Sequence, residues 1–397
     1  MMGRLGLIGW PALALLLAAA SFGLPVGEVV GQAVNNTVGK SVGQTLGWTS
    51  FATPLVFAMC AIFAAFLGIL RRIVSSSEVL FFTLLAGLAA AAPLLLLSMD
   101  LGPAPDGPSW TPESGFWCFT AALVMLAGIN VRLLAALAGS DAHGAWARYA
   151  TPLVFGGWLL VFWQLLTQAL DVPRVLLPAP SVIWHSLLGG FGVLASDFVQ
   201  TVLHSVLIGL TVGSALGFGV GVLIDRSPFL QRGLLPLAAL ASAVPLVGIA
   251  PIMVMWFGFD WHSKAAVVVV MTFFPMLVNT LAGLAEAGHM ERDLMRSYGA
   301  SYWQTLWSLR IPAALPFVFN ALKINSTLAL IGAIVAEFFG SPTDGLGFRI
   351  STEAARLNMG LVWAAIAVAS LTGSLLYGLF GWIERRATFW HPSIRVP

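Results

Sequence analysis

Apolar runs of about twenty residues follow one another along the chain, separated by short polar stretches. A membrane-spanning helix needs about 20 apolar residues. The runs predict spans at 5–22, 51–70, 79–98 and 116–138. After a break near residue 150 they predict six more, at 151–170, 200–223, 234–257, 264–284, 316–338 and 361–382. The expected fold class is therefore an all-α polytopic membrane protein with about ten transmembrane helices.

The polar breaks alternate in charge. Arg71-Arg72, Arg148, the stretch with Asp225, Arg226 and Arg232, and Glu384-Arg385-Arg386 fall on one side. The loop at 25–50, the acidic loop with Asp100, Asp106 and Glu113, and the connections 171–199, 258–263 and 339–360 fall on the other. Basic loops favour the cytoplasm, which places both termini there. Residues 5–22 read as a retained signal anchor, although Ala18-Ala19-Ala20-Ser21 offers small residues for cleavage.

Composition agrees: 58% of residues are hydrophobic and 9% charged, with mean hydropathy +0.90. Cys60 and Cys118 lie inside expected spans and read as small apolar residues. The six histidines show no metal-ligand spacing, and no catalytic Ser-His-Asp or H-E-x-x-H pattern appears. Gly39-Lys40-Ser41 lacks the upstream glycine of a phosphate loop, since Val34 stands there. No cofactor or metal is expected in this chain.

In so apolar a sequence the stretch Asp293–Pro312 is a polar island, with Glu286, Glu291 and Arg292 just upstream. Asp293-Leu294-Met295 is followed by Gly299, and further on by Leu309-Arg310-Ile311-Pro312. This spacing resembles the cytoplasmic EAA loop of bacterial ABC importer permeases, with Asp293 in place of the glutamate. Leu294 and Met295 replace the alanine pair. Residues before Gly299 suit a short helix, Ser301 suits an N-cap, and Pro312 is expected to limit the second helix.

The block from 150 carries further likenesses. Leu177-Pro178-Ala179-Pro180-Ser181-Val182, Ala250-Pro251-Ile252 with Trp256-Phe257-Gly258, and Ala336-Glu337 followed by Gly345-Leu346-Gly347-Phe348 resemble the nitrate, sulfonate and taurine branch. The resemblance divides the chain into 1–149, a block of about four spans with no assigned role, and 150–390, a permease core with coupling loop 286–315. It implies the transport subunit of an ATP-driven importer and not an enzyme. A separate ATP-binding cassette subunit would bind and hydrolyse ATP with magnesium. An extracytoplasmic binding protein would deliver a small solute, and a second permease subunit, a copy or a paralogue, would complete the pathway in the bacterial inner membrane. The solute class would be nitrate, a sulfonate, taurine or a vitamin precursor.

By that resemblance Asp293, Arg296, Gly299, Ala300, Leu309, Ile311 and Pro312 form the ATPase-coupling loop. Gly209, Gly213, Gly217 and Gly221 recur every four residues and place a glycine stripe on one helix face. The stripe reads either as tight packing within the subunit or as a face that moves during transport. Glu337, Asn325, Asn279 and Lys323 are candidates for the pathway or its gate, with helix-to-helix bonding as the alternative for the asparagines and exit capping for Glu337. Two other classes stay open on the residues alone. An ion-gradient-driven transporter would require ionisable groups at mid-membrane, and an integral membrane enzyme or structural subunit would require a clustered polar site.

Overall fold

In a computed structural model of the chain, the described residues are 144–227, 246–340 and 343–390, with three short strands, positions scattered over 117–132, and residues 229 and 233. The chain divides into two compact units, Met1–Val182 and Ile183–Pro397.

The first unit contains a small antiparallel sheet in the order β2-β1-β3. Its strands are β1 (Gly27–Val30), β2 (Gly43–Leu46) and β3 (Ser109–Pro112). No strand was expected there, because four-residue runs are too short to show an alternating pattern. The sheet draws β1 and β2 from the 25–50 loop and β3 from the acidic loop. Gly27 pairs with both Leu46 and Pro112, so the two segments lie side by side on one face. The expected spans at 5–22, 51–70 and 79–98, the 234–245 part of the span at 234–257, and Cys60 and Cys118 lie outside the described residues, while the described positions over 117–132 are helical.

Helix α1 (Gly144–Ala169) occupies the span expected at 151–170. It ends in a turn in which Asp171 takes a left-handed φ of 47°. Helix α2 (Pro180–Gly189) begins at the second proline of the Leu-Pro-Ala-Pro motif, where the fixed φ of proline suits a first helical residue. The buried Gln164 of α1 receives the Ser181 N–H at 2.9 Å and donates to the Ser181 hydroxyl at 2.9 Å, so the motif is pinned at its helix start.

Among the described residues, the second unit has four helices long and apolar enough to cross a membrane. They are α3 (Phe191–Asp225), α5 (Trp261–Ala285), α7 (Tyr302–Gly340) and α9 (Met359–Ala387). Between them lie α4 (Leu246–Phe257), α6 (His289–Ser297) and α8 (Leu346–Ala355). Helix α5 is the centre, packing along both α3 and α7. One apolar cluster joins Leu194, Val206 and Leu210 of α3 to Val268 of α5, Ala329 and Ala333 of α7, Leu346 of α8 and Ala364, Ala365 and Ala369 of α9.

The glycine stripe explains the closeness of α3 and α5. A Cβ at Gly209 would lie 2.5 Å from the Val268 Cβ, and one at Gly213 would lie 2.1 Å from the Thr272 Oγ1. At Gly217 it would meet the Phe273 carbonyl at 2.4 Å, and at Gly221 the Thr280 methyl at 2.8 Å. All four glycines are buried. The stripe is a packing face within the subunit, as small residues allow between membrane helices.

Candidate functional site

The polar island forms a helix, a reversal and a second helix start. Helix α6 closes with its Gly299 N–H on the Arg296 carbonyl at 2.9 Å and its Ala300 N–H on the Met295 carbonyl at 3.0 Å. This is a Schellman ending, which needs a left-handed residue at Gly299, and its φ is +66°. Ser301 then caps α7: its hydroxyl accepts the Gln304 N–H, while Gln304 Oε1 accepts the Ser301 N–H at 2.7 Å. The expected short helix, reversal and N-cap are all present.

Pro312 does not limit the second helix. Helix α7 runs unbroken from Tyr302 to Gly340, with a wider π-type stretch over Leu306–Arg310 that ends with the Ile311 N–H on the Leu306 carbonyl. Proline needs no N–H partner, and the widened turn ahead of it makes room for its ring.

Helix α6 exposes its apolar residues. Met290 is 83% exposed, Leu294 55% and Tyr298 81%, four residues apart on one face. Trp303 and Trp307 continue the uncovered surface on α7. Asp293 and Arg296 pair at 3.5 Å, both largely in solvent.

The loop is fastened to the bundle by a polar clamp. The Arg310 guanidinium makes two bonds to the Asp225 carboxylate at the end of α3, at 2.6 and 2.8 Å. It also donates to the Leu284 carbonyl near the end of α5, at 2.9 and 3.1 Å. The Tyr302 hydroxyl adds a third bond to Asp225 at 3.2 Å. Beneath the clamp Leu306 is buried with Leu284 and Ala314, and Ile311 packs against them. Leu309 is half-buried. The sequence reading gave Leu309 to Pro312 the anchoring role and passed over the chemistry of Arg310. Its signal was present: an arginine at the start of an apolar run needs an acidic partner, and Asp225 ends the neighbouring run.

The opposite end of the same helices is closed by a second network. Glu337, three residues before the end of α7, is almost wholly buried. It accepts the Thr201 hydroxyl and the Gly347 N–H, each at 2.7 Å. Thr201 accepts the Leu346 N–H at 2.8 Å, and Asp197 accepts the Gly345 N–H at 2.8 Å. Three successive N–H groups at the start of α8 are thus each satisfied by a side chain from another helix, where a helix terminus otherwise leaves them bare. Gly345 has φ +134°, and a Cβ there would lie 2.6 Å from the Glu337 carboxyl carbon.

Lys264 of α5 completes this end. Its ammonium donates to the Asp260 carbonyl at 3.0 Å and also to the Phe259 and Gly340 carbonyls. A cation at the last carbonyl of α7 and carboxylates at the first amides of α8 both complement the helix dipoles. Asp197 also binds Arg349 at 2.8 Å, and this bond pushes the guanidinium pKa up from its ordinary value. Glu353 holds Arg356 at 3.1 Å and Asn358 at 2.9 Å. Asp197, Thr201 and Lys264 were missed because their partners on other helices lie 76 to 152 residues away, where spacing carries no signal.

Lys323 on α7 pairs with Glu384 on α9 at 2.7 Å. Asn325 is fully buried and donates to the Thr272 carbonyl at 2.8 Å and the Ser214 hydroxyl at 3.1 Å, joining α7 to α5 and α3. Asn279 donates to the Pro275 carbonyl at 2.8 Å and accepts Asn320 at 3.4 Å. The four candidates are not gathered at one place: Glu337 closes one end, Asn325 braces the middle, and Lys323 and Asn279 lie toward the other end.

Residues 206–389 match the family described as binding-protein-dependent transport system inner membrane component. A probable ABC transporter permease protein of Haemophilus influenzae is 30% identical over 239 residues, covering 60% of this chain and 97% of its own length. The formylaminopyrimidine transport permease protein of Halalkalibacterium halodurans is 31% identical over 243 residues, 60% of this chain and 95% of its own. The taurine transport system permease protein of Escherichia coli is 30% identical over 243 residues, 60% of this chain and 88% of its own. With its apolar helices and its loop of matching spacing, this chain belongs to the family of binding-protein-dependent transport inner membrane components, as a multi-pass permease subunit of an ABC importer.

Proposed function

We propose that helix α6 is the docking element for a separate ATPase subunit, and that the clamp carries its movement into the bundle. The observation behind this reading is the uncovered stripe of Met290, Leu294 and Tyr298 on a helix that leads through Gly299 into α7, whose start Arg310 fixes to both α3 and α5. A large apolar surface in water is a protein contact surface. The rigid base means that a push on α6 moves the ends of two spans rather than the loop alone. Gly299 shapes the reversal, Ala300 supplies a backbone N–H, and Asp293 and Arg296 present polar contacts at the rim.

The ATPase binds ATP and magnesium and is the seat of hydrolysis. An extracytoplasmic binding protein delivers the solute, and a second permease subunit completes the pathway. The α6 end faces the cytoplasm with both termini, and the α8 end faces outward. The core extends over 150–390, and 1–149 is an added block. ATP does work only if nucleotide favours one global state of the assembly over another. The solute is a small molecule of the class named by the relatives, which include taurine, formylaminopyrimidine and, in Chloroflexus aurantiacus, riboflavin permeases. Glu337 and Lys323 spend their charged groups on other helices and position them, and Asn325 does so through its side-chain N–H groups. The Asn279–Asn320 pair, with Asn320 exposed, is the polar face offered to the solute.

The test is co-purification of the ATPase with the wild-type chain, Gly299→Asp and Leu294→Arg. Nothing lies within 4 Å of a Cβ at Gly299, so the aspartate does not touch the bundle, while the positive φ there makes it strain the reversal that shapes α6. Wild type is expected to retain the ATPase and both variants to lose it while remaining in the membrane. Equal retention by both variants removes α6 as the dock.

A further inference from the structure

Among the described residues, four arginines of the second unit hold carboxylates. Arg310 is on Asp225, Arg349 on Asp197, Arg356 on Glu353, and Arg296 on Asp293. Arg226 lies over the Tyr302 and Trp303 rings, and Arg292 donates to the Gly288 carbonyl. Arg385 and Arg386 are an adjacent pair. Both are exposed at the end of α9, and among the described residues neither has a carboxylate within 4.0 Å. The adjacent Glu384 is already taken by Lys323.

Their depth can be placed. About 30 Å of hydrocarbon corresponds to about 20 helical residues at 1.5 Å each. Counting back along α7 from Gly340 reaches the neighbourhood of Asn320 and Lys323. The Lys323–Glu384 ion pair ties α9 to α7 at that level. Arg385 and Arg386 therefore stand where hydrocarbon gives way to headgroups. Exposed aromatics surround them: Trp382, Phe389 and Trp390. The Arg386 guanidinium lies over the Trp382 ring, 4.1 Å from its centroid, which orients a planar donor group along the helix surface.

We propose that this end of α9 is a binding surface for the phosphate headgroup of an anionic phospholipid. The two guanidiniums, neither held by a carboxylate among the described residues, supply charge and paired donors for phosphate. The three aromatics fix the helix end at the interface, where their amphipathic rings are at home. The aromatics lie at the level of the lipid, which favours a lipid headgroup over a soluble protein as the occupant. The surface is separate from α6, and its occupancy does not depend on the ATPase.

The experiment is native mass spectrometry of the complete purified chain with equimolar phosphatidylglycerol and phosphatidylcholine. Wild type is expected to retain phosphatidylglycerol preferentially, by roughly fivefold for each arginine near the surface. The double variant Arg385→Gln, Arg386→Gln is expected to fall toward parity, and Arg385→Lys, Arg386→Lys to keep most of the preference. The control Arg292→Gln, Arg296→Gln, on α6, should keep it too. Excess inorganic phosphate should leave the retained lipid in place. An unchanged preference in the double glutamine variant, an equal loss in the α6 control, or displacement by free phosphate would overturn the assignment.

Discussion

Helices α3, α5 and α7 have two polar ends that use similar residues to opposite effect. At the α8 end Asp197, Thr201, Lys264 and Glu337 are buried, and their partners are the termini of neighbouring helices. At the α6 end one guanidinium and one carboxylate fasten the loop, and the apolar side of the helix beyond is left open. Burial decides the difference. A carboxylate that caps amides inside the protein fixes one geometry, while an exposed stripe waits for a second surface.

The comparison is most sharply broken at the clamp. Arg310→Ala strands the Asp225 carboxylate, mostly buried, and removes the tie to α5. The expected loss is about 3–5 kcal/mol of stability, as for one partner of a buried ion pair. Unfolding in mixed micelles measures it, and a loss close to zero would mean that the loop is held by Leu306 alone.

At the α8 end a gentler change is expected to cost less. Glu337→Gln keeps one acceptor oxygen for Thr201 or Gly347 and places an amide where the other amide hydrogen must be met. The expected cost is about 1–3 kcal/mol, the range for a buried group left unsatisfied. If transport falls while the thermal midpoint is unchanged, Glu337 serves the pathway directly and the capping role is secondary.

The smallest effect belongs to the exposed pair. Asp293→Ala is expected to shift stability by about 0–1 kcal/mol, because both side chains are solvated. Its consequence should appear only in ATPase retention. A large loss of stability would contradict the open face of α6.

Much of this was legible in the chain. Apolar run length set the spans at 200–223, 264–284, 316–338 and 361–382, because lipid thickness dictates helix length. The glycine period marked the α3 face, since only a missing side chain lets backbones approach so closely. Gly299 and Ser301 carried their own local signals, a left-handed ending and a capping oxygen. Pro312 misled because its rule concerns a regular helix, and the π-type stretch ahead of it changes the local backbone.

The sequence by itself therefore determined the membrane class, the described spans and the loop of matching spacing, all of which depend on neighbours within a few turns. The tertiary structure alone decided that Glu337 caps α8, that Arg310 chooses Asp225 and that Lys323 chooses Glu384. Each of those pairings joins residues 10 to 136 positions apart. A buried charge takes whichever partner the packing of helices brings within about 3 Å, and that distance is a property of the assembled bundle.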